Sequence, residues 1–131
     1  MNTITATQVA EADRLGFLPR HLGAVCVEVE ALIFSIMDRA SEDYSGGFWT
    51  FYDLSNGGFF VAPDREDRMR VAWEDNFFSG EMSPEAAGIG ATLMALGWVS
   101  FKHDIAARKF HDLSDFARAH PEAGAIFGFI D

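Results

Sequence analysis

Cysteine is nearly absent from the 131-residue sequence, in which Cys26 stands alone. A single cysteine cannot form an intramolecular disulfide, so the chain is not a disulfide-stabilised secreted domain. Long apolar runs are missing too: the longest uncharged stretch, 86–101, has 16 residues, whereas a membrane-spanning helix needs about 20. The first residues lack the basic and apolar segments of a signal peptide. We therefore expect a cytoplasmic protein with no membrane contact.

Basic residues are scarce. The chain has ten lysines and arginines but twenty acidic residues, which gives a formal charge of −10 and a sequence pI of about 4.6. Binding to a phosphate backbone is driven by cationic side chains, so direct nucleic-acid binding is not expected. A basic protein partner fits this charge better, although solubility alone also accounts for an acidic surface.

Apolar residues are plentiful, at 49% of the chain with 14% aromatic. This composition is typical of one globular domain and argues against disorder. Residues 1–12 are small and polar without a periodic pattern, so we predict a loose N-terminal segment there. Residues 13–131 are predicted to form a single domain.

Apolar spacing and turn residues predict an α+β fold. Three- and four-residue steps indicate a helix over 24–40, a serine cap followed by proline predicts a second helix from Ser83 to about Lys102, and a third amphipathic helix ends before His120. A turn-rich element near 13–23 and a final turn or short helix over 121–130 complete a set of about four helices.

Strand signals lie between the first two long helices. The aromatic run 48–54 and the apolar run 59–62 flank Asn56-Gly57, a strong hairpin signal. In 68–74 the residues Met69, Val71 and Trp73 alternate with polar ones, which predicts a third strand. Together these segments predict a small antiparallel meander of about three strands.

Motifs for catalysis or cofactor binding are weak or missing. Cys26 and His21 form a poor nucleophile pair, and neither a GxSxG elbow nor a phosphate-binding glycine loop occurs. Neither an HExxH nor a CxxC sequence occurs, so no metal and no cofactor are predicted. A small metal- or His/Asp-dependent hydrolase using His103, His111 and Asp112 stays open as an alternative.

Four segments together resemble the ArdB/KlcA antirestriction family: RLGFLPRHLG at 14–23, YSGGFWTFYDLSNGGFFVAP at 44–63, SPEAAGIGATLMAL at 83–96 and FHDLSDFARAHPEAGAIF at 110–127. The resemblance implies a protein of plasmids or other mobile elements that protects incoming DNA from host type I restriction-modification. It implies inhibition of restriction more than of modification, without catalysis. It also implies an α+β fold distinct from elongated acidic DNA mimics.

The resemblance further implies a partner, which is the type I restriction-modification complex or an associated host factor. The protein itself is expected to be a monomer or a weak homodimer. An acidic DNA mimic is the competing mechanism, but arginines such as Arg65, Arg68 and Arg70 interrupt the acidic residues.

Family motif positions that backbone geometry does not explain are candidates for partner contact, because aromatic and arginine side chains carry much interface energy. These candidates are Arg14, Arg20, His21, Tyr44, Trp49 and Tyr52. The competing interpretation places Trp49 and Tyr52 in the core and pairs Arg20 with a nearby acid.

Overall fold

A computed structural model describes residues 3–131. The strands are β1 (Ala6–Gln8), β2 (Trp49–Leu54), β3 (Phe59–Pro63), β4 (Met69–Trp73) and β5 (Phe78–Met82). The helices are α1 (Phe17–Leu22), α2 (Cys26–Ala40), α3 (Pro84–Val99), α4 (Asp104–Arg118) and α5 (Ala123–Ile130). Short 3-10 turns occupy Glu11–Asp13, Gly23–Val25 and Glu74–Asn76. The predicted α+β class, with small antiparallel sheets packed against helices, is confirmed.

The N-terminal segment departs from the prediction for 1–12. Instead of lying loose, β1 pairs antiparallel with β2, with Ala6 opposite Leu54 and Gln8 opposite Tyr52. Val9 extends this contact, because its N–H donates to the Phe51 carbonyl at 2.8 Å. Several of these residues are β-branched and therefore favour a strand. Because the segment is also small and polar, the sequence prediction did not recognise the strand. Met1 and Asn2 lie outside the described residues.

The predicted hairpin is confirmed, but the third strand has a different partner. Strands β2 and β3 pair across the Asn56-Gly57 turn, with Trp49 opposite Pro63 and Asp53 opposite Phe59. Strand β4 does not extend this sheet, since it pairs with β5 in a separate two-stranded sheet. Strand β5 was not predicted, because a glycine separates Phe78 and Met82, the two large apolar residues of its FSGEM sequence.

Helix α3 lies at the centre of the core and packs against α2, β3, α4 and α5. It begins as predicted: the Ser83 hydroxyl accepts from the Ala86 N–H at 3.1 Å, and Pro84 occupies the first turn. Its glycines allow close approach, since a Cβ on Gly88 would lie 2.3 Å from the Val61 carbonyl oxygen. The glycine side of this helix therefore packs internally.

Within residues 3–131, no helix combines the length and the apolar character that crossing a membrane requires.

Candidate functional site

The candidate site is centred on Asp53, near the end of β2. Helix α1 carries Arg20 and His21 to this carboxylate. Arg20 Nη2 donates to both Asp53 oxygens, at 2.9 and 3.0 Å. The Arg20 guanidinium also lies 5.6 Å from the Phe17 ring centroid. The pair lies at the surface, with both side chains partly exposed.

His21 lies beneath this pair and is 6% exposed. Its ring packs against Phe17 and Phe59, with centroids 4.9 and 4.8 Å away. Its Nε2 is 2.6 Å from Asp53 Oδ1, and its Nδ1 is 3.1 Å from Lys109 Nζ. Because a carboxylate accepts and an ammonium donates, both contacts are satisfied by the neutral ring with its proton on Nε2.

The electrostatics agree with a neutral imidazole. Burial, together with the nearby Lys109 charge, lowers the pKa of His21, although the hydrogen bond to Asp53 acts in the opposite direction. Burial raises the pKa of Asp53, but the hydrogen bonds from His21 and Arg20 outweigh it and the net pKa is lowered. Asp53 is therefore ionised and His21 uncharged at neutral pH.

Lys109 connects this site to the hairpin turn. From α4, its ammonium donates to the Gly57 carbonyl at 2.7 Å as well as to His21. Burial lowers the pKa of Lys109. Asn56 adds a second link, because its side-chain amide donates to the Asp112 carbonyl at 2.8 Å. We name Arg20, His21, Asp53 and Lys109 the Asp53 cluster, and it joins α1, β2, the hairpin turn and α4.

The hydrogen bonds of the Asp53 cluster hold neighbouring elements together. Since Asp53 and Lys109 occupy both ring nitrogens of His21, neither nitrogen faces a substrate as a general base would. Across residues 3–131, no three or more His, Cys, Asp or Glu side chains are grouped so that they would hold a metal ion. Asp112 was one of the residues of the alternative hydrolase. Its backbone carbonyl accepts a hydrogen bond from the Asn56 side-chain amide.

The other predicted contact residues lie elsewhere. Trp49 is four residues before Asp53, about 13 Å along the strand. It is buried, and its indole N–H donates to the Tyr44 hydroxyl at 3.2 Å. Tyr52 projects from the face of β2 opposite to that of Trp49 and Asp53. Its ring stacks on Phe60 with centroids 4.6 Å apart. Burial raises the pKa of Tyr52.

Arg14 is half-buried on the same side of β2 as Asp53. Its guanidinium lies 5.9 Å from the Phe51 ring centroid, and Phe51 alternates with Tyr52 along the strand. The structure thus brings Arg20 and His21 together, places Arg14 on a neighbouring ring, and separates Tyr44, Trp49 and Tyr52 from them.

Comparison with known proteins identifies the family. The family model described as antirestriction protein matches residues 42–131. The chain belongs to this antirestriction family. Two Escherichia coli proteins named antirestriction protein KlcA are similar over nearly their whole length: one is 46% identical over 98% of this chain and 94% of the relative, and the other is 43% identical over 100% of both.

One solved structure is similar across 100% of both chains, with a TM-score of 0.90 and 44% sequence identity. It is described as showing a novel fold of the KlcA and ArdB proteins, with antirestriction activity against type I DNA restriction systems in vivo but not in vitro. The predicted resemblance to the ArdB/KlcA antirestriction family is therefore confirmed.

The sequence did not lead us to predict Asp53 and Lys109 as members of the candidate site. Asp53 carried a usable signal, because it occupies the same strand face as Trp49 and Phe51 and a carboxylate among inward-facing rings needs a partner. Lys109 carried none, since its approach to His21 depends on how α4 packs.

Proposed function

We propose that this protein lowers the restriction activity of a host type I restriction-modification system and thereby protects incoming mobile-element DNA. It acts in the cytoplasm, on restriction more than on modification. The observation that carries the proposal is whole-length similarity, at 43–46% identity, to two proteins named for antirestriction, together with the 0.90 TM-score to the KlcA and ArdB fold.

The mechanism that we propose is protein contact without catalysis, by a monomer or weak homodimer. The related structure is described as active in vivo but not in vitro. A direct inhibitor of the isolated enzyme would act in both settings, so this contrast favours a target in its cellular state. That target is the type I complex or a host factor on which restriction depends.

The geometry of the Asp53 cluster supports a mechanism without turnover. His21 is buried, and both of its ring nitrogens bond to the protein itself. These hydrogen bonds fix the positions of α1, the hairpin and α4 relative to one another. A fixed surface favours binding, because less conformational freedom is lost when a partner docks.

Surface charges favour protein contact over mimicry of DNA. A mimic needs a continuous acidic stripe as dense as the phosphates of a duplex. Here arginines pair with surface carboxylates, as Arg70 does with Asp43 at 2.9 Å and Arg68 with Glu81 at 3.4 Å. These pairs break the acidic surface into separate patches.

The partner contact that we propose retains Arg14, Arg20, His21, Tyr44, Trp49 and Tyr52 as its candidates, with the exposed Arg20 as the strongest. Arg20→Ala and Tyr44→Ala test it, since Arg20 contacts Asp53 near one end of β2 and Tyr44 contacts Trp49 at the other. A variant that folds normally but no longer protects DNA identifies a contact. If both variants fold normally and still protect DNA fully, Arg20 and Tyr44 are not partner contacts.

The experiment that tests the function is a plating assay with unmodified phage on restricting and nonrestricting hosts. Expression of this protein is expected to raise plating on the restricting host and leave plating on the nonrestricting host unchanged. Unchanged plating on the restricting host, with the protein present at normal levels, would contradict the proposal.

A further inference from the structure

The turn between β4 and β5 presents an aromatic side chain to solvent. Phe77 is 98% exposed and follows the 3-10 turn Glu74–Asn76. Its backbone is left-handed, with φ 54° and ψ 35°, and within residues 3–131 it is the one non-glycine residue with a positive φ. This conformation is unfavourable for a residue with a Cβ, whereas glycine adopts it freely. Folding stability therefore does not account for phenylalanine at this position.

The backbone that leads into Phe77 is held in place by three hydrogen bonds. The Asn76 side-chain amide donates to the Phe129 carbonyl of α5 at 2.7 Å. Arg39 of α2 donates to Asp75 at 3.2 Å, while the Phe77 N–H donates to the Glu74 carbonyl at 2.9 Å. The turn is thus anchored to two helices, which fixes the backbone position of Phe77. A side chain on a fixed backbone loses less entropy when it enters a pocket than one on a mobile loop.

The charge around Phe77 indicates the chemistry of a partner. Glu74 is exposed and lies three residues before Phe77, in a chain with a formal charge of −10, while the exposed Asp75 is paired with Arg39. A phenylalanine near a carboxylate complements an apolar pocket whose rim carries lysine or arginine. A restriction complex must bind DNA, so basic side chains are common on its surface.

We propose that Phe77 anchors a second contact surface of this protein, which we name the Phe77 turn (residues 74–77). The ring enters an apolar pocket on a subunit of the type I restriction complex, and Glu74 faces the basic rim of that pocket. This inference rests on the proposed function and adds to it a surface that lies outside the four family motifs.

The first test separates stability from activity. Phe77→Gly is expected to melt at the same temperature as the wild type or higher, because glycine relieves the left-handed backbone, yet to lose protection in the plating assay about tenfold or more. Phe77→Tyr keeps the ring and is expected to protect. Phe101→Ala is the matched control, since Phe101 is 90% exposed and lies outside the turn. Protection by Phe77→Gly equal to that of the wild type would overturn the inference.

The second test does not depend on protection. A photoreactive benzoyl-phenylalanine is placed at position 77, or at position 101 as control, in cells that carry tagged type I subunits. Irradiation is expected to link position 77, and not position 101, to a tagged subunit. Absence of that product at position 77 overturns the interface. If the product forms while the wild type fails to protect, the interface stands and the proposed function falls.

Discussion

At the residue scale, the Asp53 carboxylate holds two side chains directly and a third through His21. Asp53 accepts hydrogen bonds from Arg20 and His21, and Lys109 completes the contact on the far side of the ring. Breaking such a cluster costs more than its net bonds are worth, because the remaining polar groups stay partly buried without partners. His21 is the member most affected, since it is almost fully enclosed.

Asp53→Ala should therefore lower the free energy of unfolding by about 1–3 kcal/mol. Asp53→Asn should lower it less, because the amide oxygen still accepts from His21. Urea denaturation measures both. The control is Asp67→Ala at an exposed position, for which a change within about 0.5 kcal/mol is expected. Equal stability of Asp53→Ala and the control would mean that the cluster does not hold the fold.

The lowered pKa of His21 predicts a loss of stability in mild acid. The unfolded chain takes up a proton near the usual histidine pKa of 6.5, while the folded chain resists it down to a lower pH. Acidification from about pH 7.5 to 5 therefore favours unfolding. The free energy of unfolding, followed by urea denaturation across this range, should fall more steeply in the wild type than in His21→Asn. Parallel curves would show that His21 makes no contribution.

At the element scale, local patterns predicted the helices well and the strand pairing less well. Apolar spacing and the Ser83-Pro84 start predicted α2 and α3 close to their observed positions, although α3 ends at Val99 and not near Lys102; α4 ends before His120 as predicted. The β2–β3 hairpin follows from its Asn-Gly turn. Strands β1 and β5 were missed, because both are short and their partners are set by packing rather than by their own sequence. The same holds for Lys109, whose role arises from the position of α4.

The glycines of α3 give a matched pair of variants. A Cβ on Gly88 would meet the Val61 carbonyl oxygen at 2.3 Å and the Ala62 Cα at 2.5 Å, and backbone atoms cannot move aside easily. A Cβ on Gly97 would meet only the Phe110 ring edge at 3.4 Å. Gly88→Ala should therefore destabilise the protein by about 3 kcal/mol or more, while Gly97→Ala should be neutral or stabilising by up to about 1 kcal/mol.

Urea denaturation of the two variants checks this prediction, with near-ultraviolet circular dichroism as a measure of core packing. Similar stabilities for Gly88→Ala and Gly97→Ala would show that α3 does not pack on β3 as described.

At the scale of the whole molecule, the chain is an acidic globule whose surface carboxylates are partly paired with arginines and whose exposed aromatic residues include Phe77. The family and its fold were accessible from the sequence, because four motifs spread along the chain carried the resemblance. Whether the motif residues share one surface was not accessible. Arg20 and Asp53, which are 33 residues apart in sequence, meet through a tertiary contact that no local pattern predicts.

The central claim is inhibition of restriction by contact without turnover, and its most direct test is stoichiometry in the cell. Phage plating on a restricting host is measured against the number of copies of this protein per type I complex, with expression varied by an inducible promoter. Protection is expected to rise with abundance and to be complete only when copies are at least comparable in number to their target. Full protection by copies far fewer than their target would require turnover, and contact alone would then not explain the protection.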